Sequence, residues 1–293
     1  MRLVTFTHKG NSRIGALVEN TVIDLSVAAP ELPTDMVAFL EAGIEALLLA
    51  KDAITLGAGR IPRPEVRLKP PILRPPKIIC IGLNYAKHAA EAGIEPPRVP
   101  LVFNKQSLSV TGPYDPVYKP PESDQLDYEG ELAFVIGKRC RRVPRDQAQQ
   151  VIAGYTIMND VSVRDWQLVP KITPHTMGKS WDTHGPMGPC IVTADELPDP
   201  HHLDIRTWVN GELRQDSNTN DLLFNCYWIV EHLSTAFTLE AGDVISTGTP
   251  SGVIAGMQNK VWLKPGDVVK IEIEKIGSIE NTIVEEPSDT VLY

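Results

Sequence analysis

The stretch Asp127-Tyr-Glu-Gly-Glu-Leu-Ala-Phe-Val-Ile136 sets two carboxylates into what is otherwise an apolar strand. Alternate residues of a strand share a face, so Glu129 and Glu131 point the same way and repel, while Gly130 faces the opposite side. Positive charge is therefore expected between the two acids. A hard divalent cation, which prefers carboxylate oxygens, would supply it. Gly130, with no side chain, lets another backbone or a ligand approach its face. A solvated strand edge with two surface glutamates produces the same pattern, so the rest of the chain has to decide.

Composition removes several classes of function. With 293 residues, 42% hydrophobic and 22% charged, the chain can build one large core plus a smaller domain. A net charge of -9 argues against nucleic acid or an anionic membrane as partner through bulk electrostatics. It leaves open a small anionic substrate, because a metal or a lysine reverses the field locally. The N-terminus lacks the apolar run of a secretory signal. The most apolar helical candidate, residues 44–56, is too short for a membrane span and contains Glu45, Lys51 and Asp52. Cys80, Cys140, Cys190 and Cys226 are widely spaced without a C-x-x-C pair, which suits reduced thiols in a cytoplasmic chain.

Residues 1–25 alternate apolar and polar around a turn at 8–12 and read as a small antiparallel sheet. Pro33-Thr-Asp35 opens a helical pattern through Phe39, Leu40, Ile44 and Leu47 to Leu49. Proline-dense chain at 61–64 and 69–76 reads as a linker, which places a domain boundary near residue 72 and divides the chain into 1–72 and 73–293. A buried strand at 77–83 leads into a short alanine-rich helix at 84–93, and a strand at 101–107 carries Lys105, a residue expected at an edge or facing solvent. A helix from Pro144 to Val151 precedes a strand that ends on Asp160, and residues 168–178 read as a loop. Asn210-Gly211 marks a hairpin between 203 and 215, and 221–237 reads as an amphipathic helix. Strands at 261–263 and 267–273 close the chain.

Candidate chemistry gathers in the second part. Asp160 adds a third acid, and two glutamates plus an aspartate form an oxygen-rich set with positions left for water and substrate, as suits magnesium or manganese. His88 and Glu91 lie three apart on one helical face, where the carboxylate can orient an imidazole base; a surface His-Glu pair has the same spacing. The Lys179 ammonium is placed to stabilise developing negative charge. A glycine-rich turn at 246–252 offers backbone donors and Thr249 for a carboxylate.

The motifs Gly-Leu-Asn-Tyr at 82–85 with His88 and Glu91, Asp127-Tyr-Glu-Gly-Glu131, Asn159-Asp-Val-Ser-Val-Arg-Asp165, Gly178-Lys-Ser-Trp-Asp182 and Ser246-Thr-Gly-Thr-Pro-Ser-Gly-Val253 together resemble the fumarylacetoacetate hydrolase family over roughly residues 73–285. The resemblance implies an α+β, mainly β protein: a mixed β-sandwich roll catalytic domain with a smaller N-terminal α+β domain, usually as a homodimer. It implies a divalent metal, commonly Mg2+ with Mn2+ or Ca2+ as alternatives, held by Glu129, Glu131 and Asp160. His88 and Glu91 become an acid/base dyad on a lid, Lys179 faces the substrate, and Arg164, Gln167, Thr249 and Lys105 are candidate substrate contacts. The implied substrate is a small 2-oxo or 2,4-dioxo carboxylic acid. Hydrolysis of a C-C bond in acylpyruvate-like or fumarylpyruvate-like acids, through a pyruvate enolate, is the leading expectation. Oxaloacetate decarboxylation or isomerisation of 2-hydroxyhepta-2,4-diene-1,7-dioate is the alternative, and a non-catalytic binding protein on the same scaffold is a third. A dinucleotide-binding fold fails because Gly82 lacks the further glycines of that fingerprint.

Overall fold

In the computed structural model, which describes residues 1–91, 93–169 and 175–288, the strand Gly130–Ile136 is buried along its whole length. It sits inside a twelve-stranded sheet, antiparallel to Ile152–Asn159 on one side and to Val244–Ser246 on the other. Its two faces go to different cores. Leu132, Phe134 and Ile136 join the cluster containing Ile205, Ile271, Ile273 and Ile279, whereas Ala133 and Val135 join one containing Ile78, Cys80, Met158 and Val244. Period-two alternation therefore carries Glu131, two residues before Ala133, to the second side.

The first side packs against a five-stranded sheet in the order Glu212–Asn218, Asp204–Val209, Val268–Ile273, Gly277–Glu285 and Val117–Lys119. Gly130 makes that approach possible, since a Cβ there would lie 2.4 Å from Thr207 Oγ1 and 3.2 Å from Gln215 Oε1. The mainly β, mixed-sheet architecture agrees with the expected fold class. The hairpin turn also forms as expected, with Asn210 and Gly211 both at positive φ.

The N-terminal strands Arg2–His8, Asn11–Val18 and Thr21–Asp24 form the expected antiparallel set, and they continue the large sheet: Leu3 pairs with Ile191 of Gly185–Thr193. Leu3, Ile14, Met36 and Phe39 share a core with Ile78, Ala133 and Val135. Ala42 separates Met36–Glu41 from Gly43–Leu56, where Gly43 in the left-handed region turns the chain, so the single helical pattern of the sequence is two helices, the second running past Leu49.

Some local readings are corrected. Arg145–Val151 is a 3-10 helix. Residues 261–263 form no strand, only an isolated bridge from Leu263 to Leu126, and the last strand among the described residues is Gly277–Glu285. Of the expected loop at 168–178, residues 170–174 lie outside the described residues, and His175–Lys179 is a short helix. No described helix is long and apolar enough to cross a membrane.

His184 links the segment after Lys179 to the second sheet. It is fully buried, with Nε2 bonded at 2.7 Å to the Tyr118 carbonyl and no partner for Nδ1. Burial pushes its pKa down from 6.5 to about 3. The folded state thus holds a neutral ring where the unfolded chain takes up a proton, so stability is complete above the unfolded value and falls as pH drops below it. At roughly 1.4 kcal/mol per unit, His184 should cost about 2 kcal/mol between pH ~6.5 and ~5. Denaturant melts across that range should show the loss in the native protein and a flatter profile in His184→Gln.

Candidate active site

Asp160 and Glu129 meet where Ile152–Asn159 leaves the sheet, joined by the Asp160 amide donating to the Glu129 carbonyl at 2.9 Å. Asn159 Oδ1 in turn accepts from the Glu129 amide at 3.0 Å. Glu131 enters from the next turn of the pleat. One oxygen from each of Glu129, Glu131 and Asp160 lies within 4.8 Å of the others, and all three residues are buried. The sequence pair and its third acid thus converge as expected.

Buried carboxylates at this spacing require compensation. Lys179 Nζ bridges Glu129 Oε2 at 2.6 Å and Asp160 Oδ2 at 2.9 Å. Arg164 reaches Glu129 Oε1 at 2.7 Å. Burial works against ionisation of Glu129, yet the charges of Lys179 and Arg164 hold its pKa down at about 2. Glu131 goes the other way: burial, then the charges of Asp160 and Glu129, push its carboxyl well above the usual range. Ser246 Oγ and the Gly248 amide, at 2.9 Å, donate to Glu131 Oε2. Two of the three acids are matched by cations and the third is left short of one. A divalent ion fits this donor set, which is all hard oxygen and already attracts an ammonium to its centre.

Lys105 corrects the expectation of a solvent-facing residue. It is 3% exposed. Its ammonium donates to Asp160 Oδ1 at 2.7 Å, to the Val161 carbonyl at 3.3 Å and to the Lys179 carbonyl. All three of its protons are thus engaged within the protein, so it fixes Asp160 and the end of the Lys179 helix. Thr249 is similarly engaged, donating to the Gly130 carbonyl at 3.0 Å and accepting from Gln215 Nε2 at 2.8 Å. Arg164 NH1 donates to Gln167 Oε1 at 2.8 Å, and Gln167 Nε2 lies 3.2 Å from His175 Nδ1.

His88 Nδ1 and Glu91 Oε2 are 3.2 Å apart on the helix Ala86–Glu91. Glu91 docks on the glycine-rich segment after Thr249, accepting from the Gly252 amide at 3.1 Å, and a Cβ on Gly256 would lie 2.6 Å from its carboxyl carbon. His88 is near enough to the acids for its charge to favour ionised Glu129. Glu91 at the Gly252 amide and Asp127 at the amides of Ile254 and Ala255 meet on one segment, so the dyad's helix docks on the same segment as the start of the acid stretch.

Sequence reasoning passed over Asp127 and His175. Asp127 accepts from the amides of Tyr128, Ile254 and Ala255 and from Arg164 Nε, all at 2.9–3.0 Å, so it ties the acid strand to the dyad's docking segment. Its place at the head of the Glu-x-Glu stretch was the available signal. His175 stacks on Phe103 at 5.4 Å, and the Lys179 ammonium lies over the same ring.

The model of the fumarylacetoacetate (FAA) hydrolase C-terminal domain matches residues 77–284. The chain belongs to the fumarylacetoacetate hydrolase family. Oxaloacetate tautomerase fahd2, mitochondrial, of Xenopus laevis is 43% identical over 288 residues, 97% of this chain and 90% of that one. Among solved structures, the fumarylacetoacetate hydrolase of Exiguobacterium antarcticum superposes with a TM-score of 0.86 at 37% identity, covering 98% of this chain and all of the other. The maleylpyruvate hydrolase of Sphingobium sp. SYK-6, solved with manganese(II) and pyruvate, gives 0.81 at 32% identity with the same coverage. Like these family relatives, the chain is an enzyme, and the relatives named here for a substrate act on small oxo acids.

Replacing Glu131 by Ala should weaken binding of manganese by more than the roughly 10- to 100-fold that loss of an outer partner costs. Titration calorimetry on the folded variant reads this directly. An unchanged affinity would place the metal elsewhere.

Proposed function

We propose that this enzyme catalyses proton transfer at C3 of a small 2-oxo acid, with oxaloacetate keto-enol exchange as the first reaction to test, and that it depends on a divalent metal, Mg2+ or Mn2+, held by Glu129, Glu131 and Asp160. The observation that carries this reading is the acid triad bridged by Lys179, with the His88-Glu91 pair docked on the segment that also binds Asp127 at the head of the acid stretch. The oxaloacetate tautomerase relative, aligned over nearly the whole chain, supports it. When bound, the metal would withdraw electron density from the 2-oxo group and make the C3 protons more acidic.

The chain's own residues do the rest. His88, oriented through Nδ1 by Glu91, accepts the C3 proton at its other ring nitrogen. Lys179 spends two of its three protons on Glu129 and Asp160, and the third, with no acceptor among the described residues, hydrogen-bonds the oxygen on which negative charge develops. Return of the proton to that oxygen gives the enol with no net gain or loss of atoms. Burial of Lys179 and the acids keeps water from screening these charges. His88→Ala should lower the enol-keto exchange rate by about 10^2- to 10^4-fold, read from enol absorbance, while leaving manganese binding in place. Full turnover in that variant would sink the dyad as base.

Hydrolysis of an acylpyruvate is the second reading, supported by the maleylpyruvate hydrolase neighbour. In it the same dyad would take a proton from water as the oxygen attacks the distal carbonyl, and the C-C bond would break toward the pyruvate end.

A homodimer is part of the proposal. The edge strand Leu101–Lys105 shows Leu101 and Val102 to solvent, with Ile94, Val99 and Leu108 exposed in flanking chain. An apolar sheet edge of this kind needs a cover. Sedimentation at micromolar concentration should give twice the mass of the chain, and Val102→Lys should shift it toward the monomer; a monomer throughout would refute this.

A further inference from the structure

Arg214 has no role in the chemistry above, and its surroundings suggest one. The strands Asp204–Val209 and Glu212–Asn218 pair Thr207 with Gln215 but Trp208 with Leu213, so Arg214 is an extra residue in a bulge. Bulges re-aim a side chain away from the face that alternation would assign it. Its neighbour Gln215 stays in the site's framework, bonding Gly130, Thr249 and Pro250. The Arg214 guanidinium, by contrast, goes to the segment on which the dyad docks: NH1 lies 3.7 Å from Met257 Sδ, and its backbone carbonyl lies 2.1 Å from where a Gly252 Cβ would be.

Its charge is incompletely matched. NH2 pairs at 2.9 Å with Glu212, an exposed residue two positions away on the same strand, while Nε is buried without a partner and NH1 has only a thioether. The Tyr128 hydroxyl, bonded to the Gly252 carbonyl at 2.7 Å, feels the charges of both Arg214 and Glu91. Gly252 is thus the common point: its amide donates to Glu91, its carbonyl accepts from Tyr128 beside Glu129, and the Arg214 backbone packs against it. A buried arginine donor without an acceptor is costly, and a carboxylate is the partner its planar fork suits.

We infer that Arg214 is a specificity residue that receives the far carboxylate of a dicarboxylic 2-oxo acid whose 2-oxo end lies at the triad. This rests on the oxo-acid reading proposed above. It implies that the preferred substrates are dianions.

Matched probes separate the two ideas. 2-Oxoadipate and 2-oxohexanoate have equal chain length and differ in the terminal carboxylate, and pyruvate carries the 2-oxo acid end alone. Calorimetry in the presence of manganese should show 2-oxoadipate binding about 10- to 100-fold tighter than 2-oxohexanoate, as expected for a charged, partly desolvated hydrogen-bonded pair. Arg214→Met should abolish that preference and Arg214→Lys should retain part of it, with pyruvate binding as the common reference in each folded protein. Equal affinity for the two six-carbon acids in the native protein, or a preference retained in Arg214→Met, would overturn the assignment to Arg214. Failure of pyruvate to bind the native protein with manganese would instead overturn the oxo-acid reading and this inference with it.

Discussion

The structure depends on balancing charge inside a sheet. Glu129, Glu131 and Asp160 bring three carboxylates into a region where Phe134, Val135 and Ile157 are fully buried, and Asp127 adds a fourth beside them. Isolated charges there would be untenable. Lys105, Arg164 and Lys179 supply three cations, each within 3 Å of at least one acid. Removing one partner from such a network leaves the other buried and uncompensated, a loss of about 3–5 kcal/mol where measured. The network also sets geometry, because Arg164 links Asp127 to Glu129, Lys179 links Glu129 to Asp160, and Lys105 ties Asp160 to the Lys179 carbonyl. Function and fold therefore draw on the same interactions, and the charge deficit at Glu131 is where a divalent ion would fit.

Gly130 connects this network to the rest of the molecule. Odd positions of the strand carry the acids and even positions carry the core that meets the five-stranded sheet. Position 130 falls on the even face, so any side chain there would strike Thr207 and hold the second sheet away. The sheet comes close enough for Gln215 to bond the Gly130 amide, and Gln215 in turn holds Thr249. Thus the absence of one side chain lets the second sheet set the segment on which Glu91 rests.

Local patterns in the sequence disclosed the parts of the site that depend on spacing. The Glu-x-Glu alternation, the His-Glu interval of three and the Asn-Gly hairpin each express a backbone period, and each appears in the structure. Lys105 was illegible for a physical reason. A lysine on a short edge strand ordinarily extends to solvent, and only the arrival of Asp160 from 55 residues away turns it inward. Asp127 was missed because two of its partners are backbone amides more than a hundred residues on and a third is Arg164 on another element. The strand Gly277–Glu285 was missed although it alternates, since its pairing with Val268–Ile273 crosses a tight turn at Lys275 and Gly277, both at positive φ, that breaks the pattern.

The dyad is held differently from the acids. Lys179 and Asp160 are locked by several buried bonds, whereas the six-residue helix carrying His88 and Glu91 is too short to be stable alone and owes its position to docking. That docking uses the Gly252 amide and the space left by Gly256, contacts that a small movement of the helix would release. The half of the site that binds charge is thus held by buried ion pairs, and the half that carries the proposed base by docking contacts. Charge binding and the proposed proton transfer are therefore secured by different means, the first by buried ion pairs and the second by the docking of one short element.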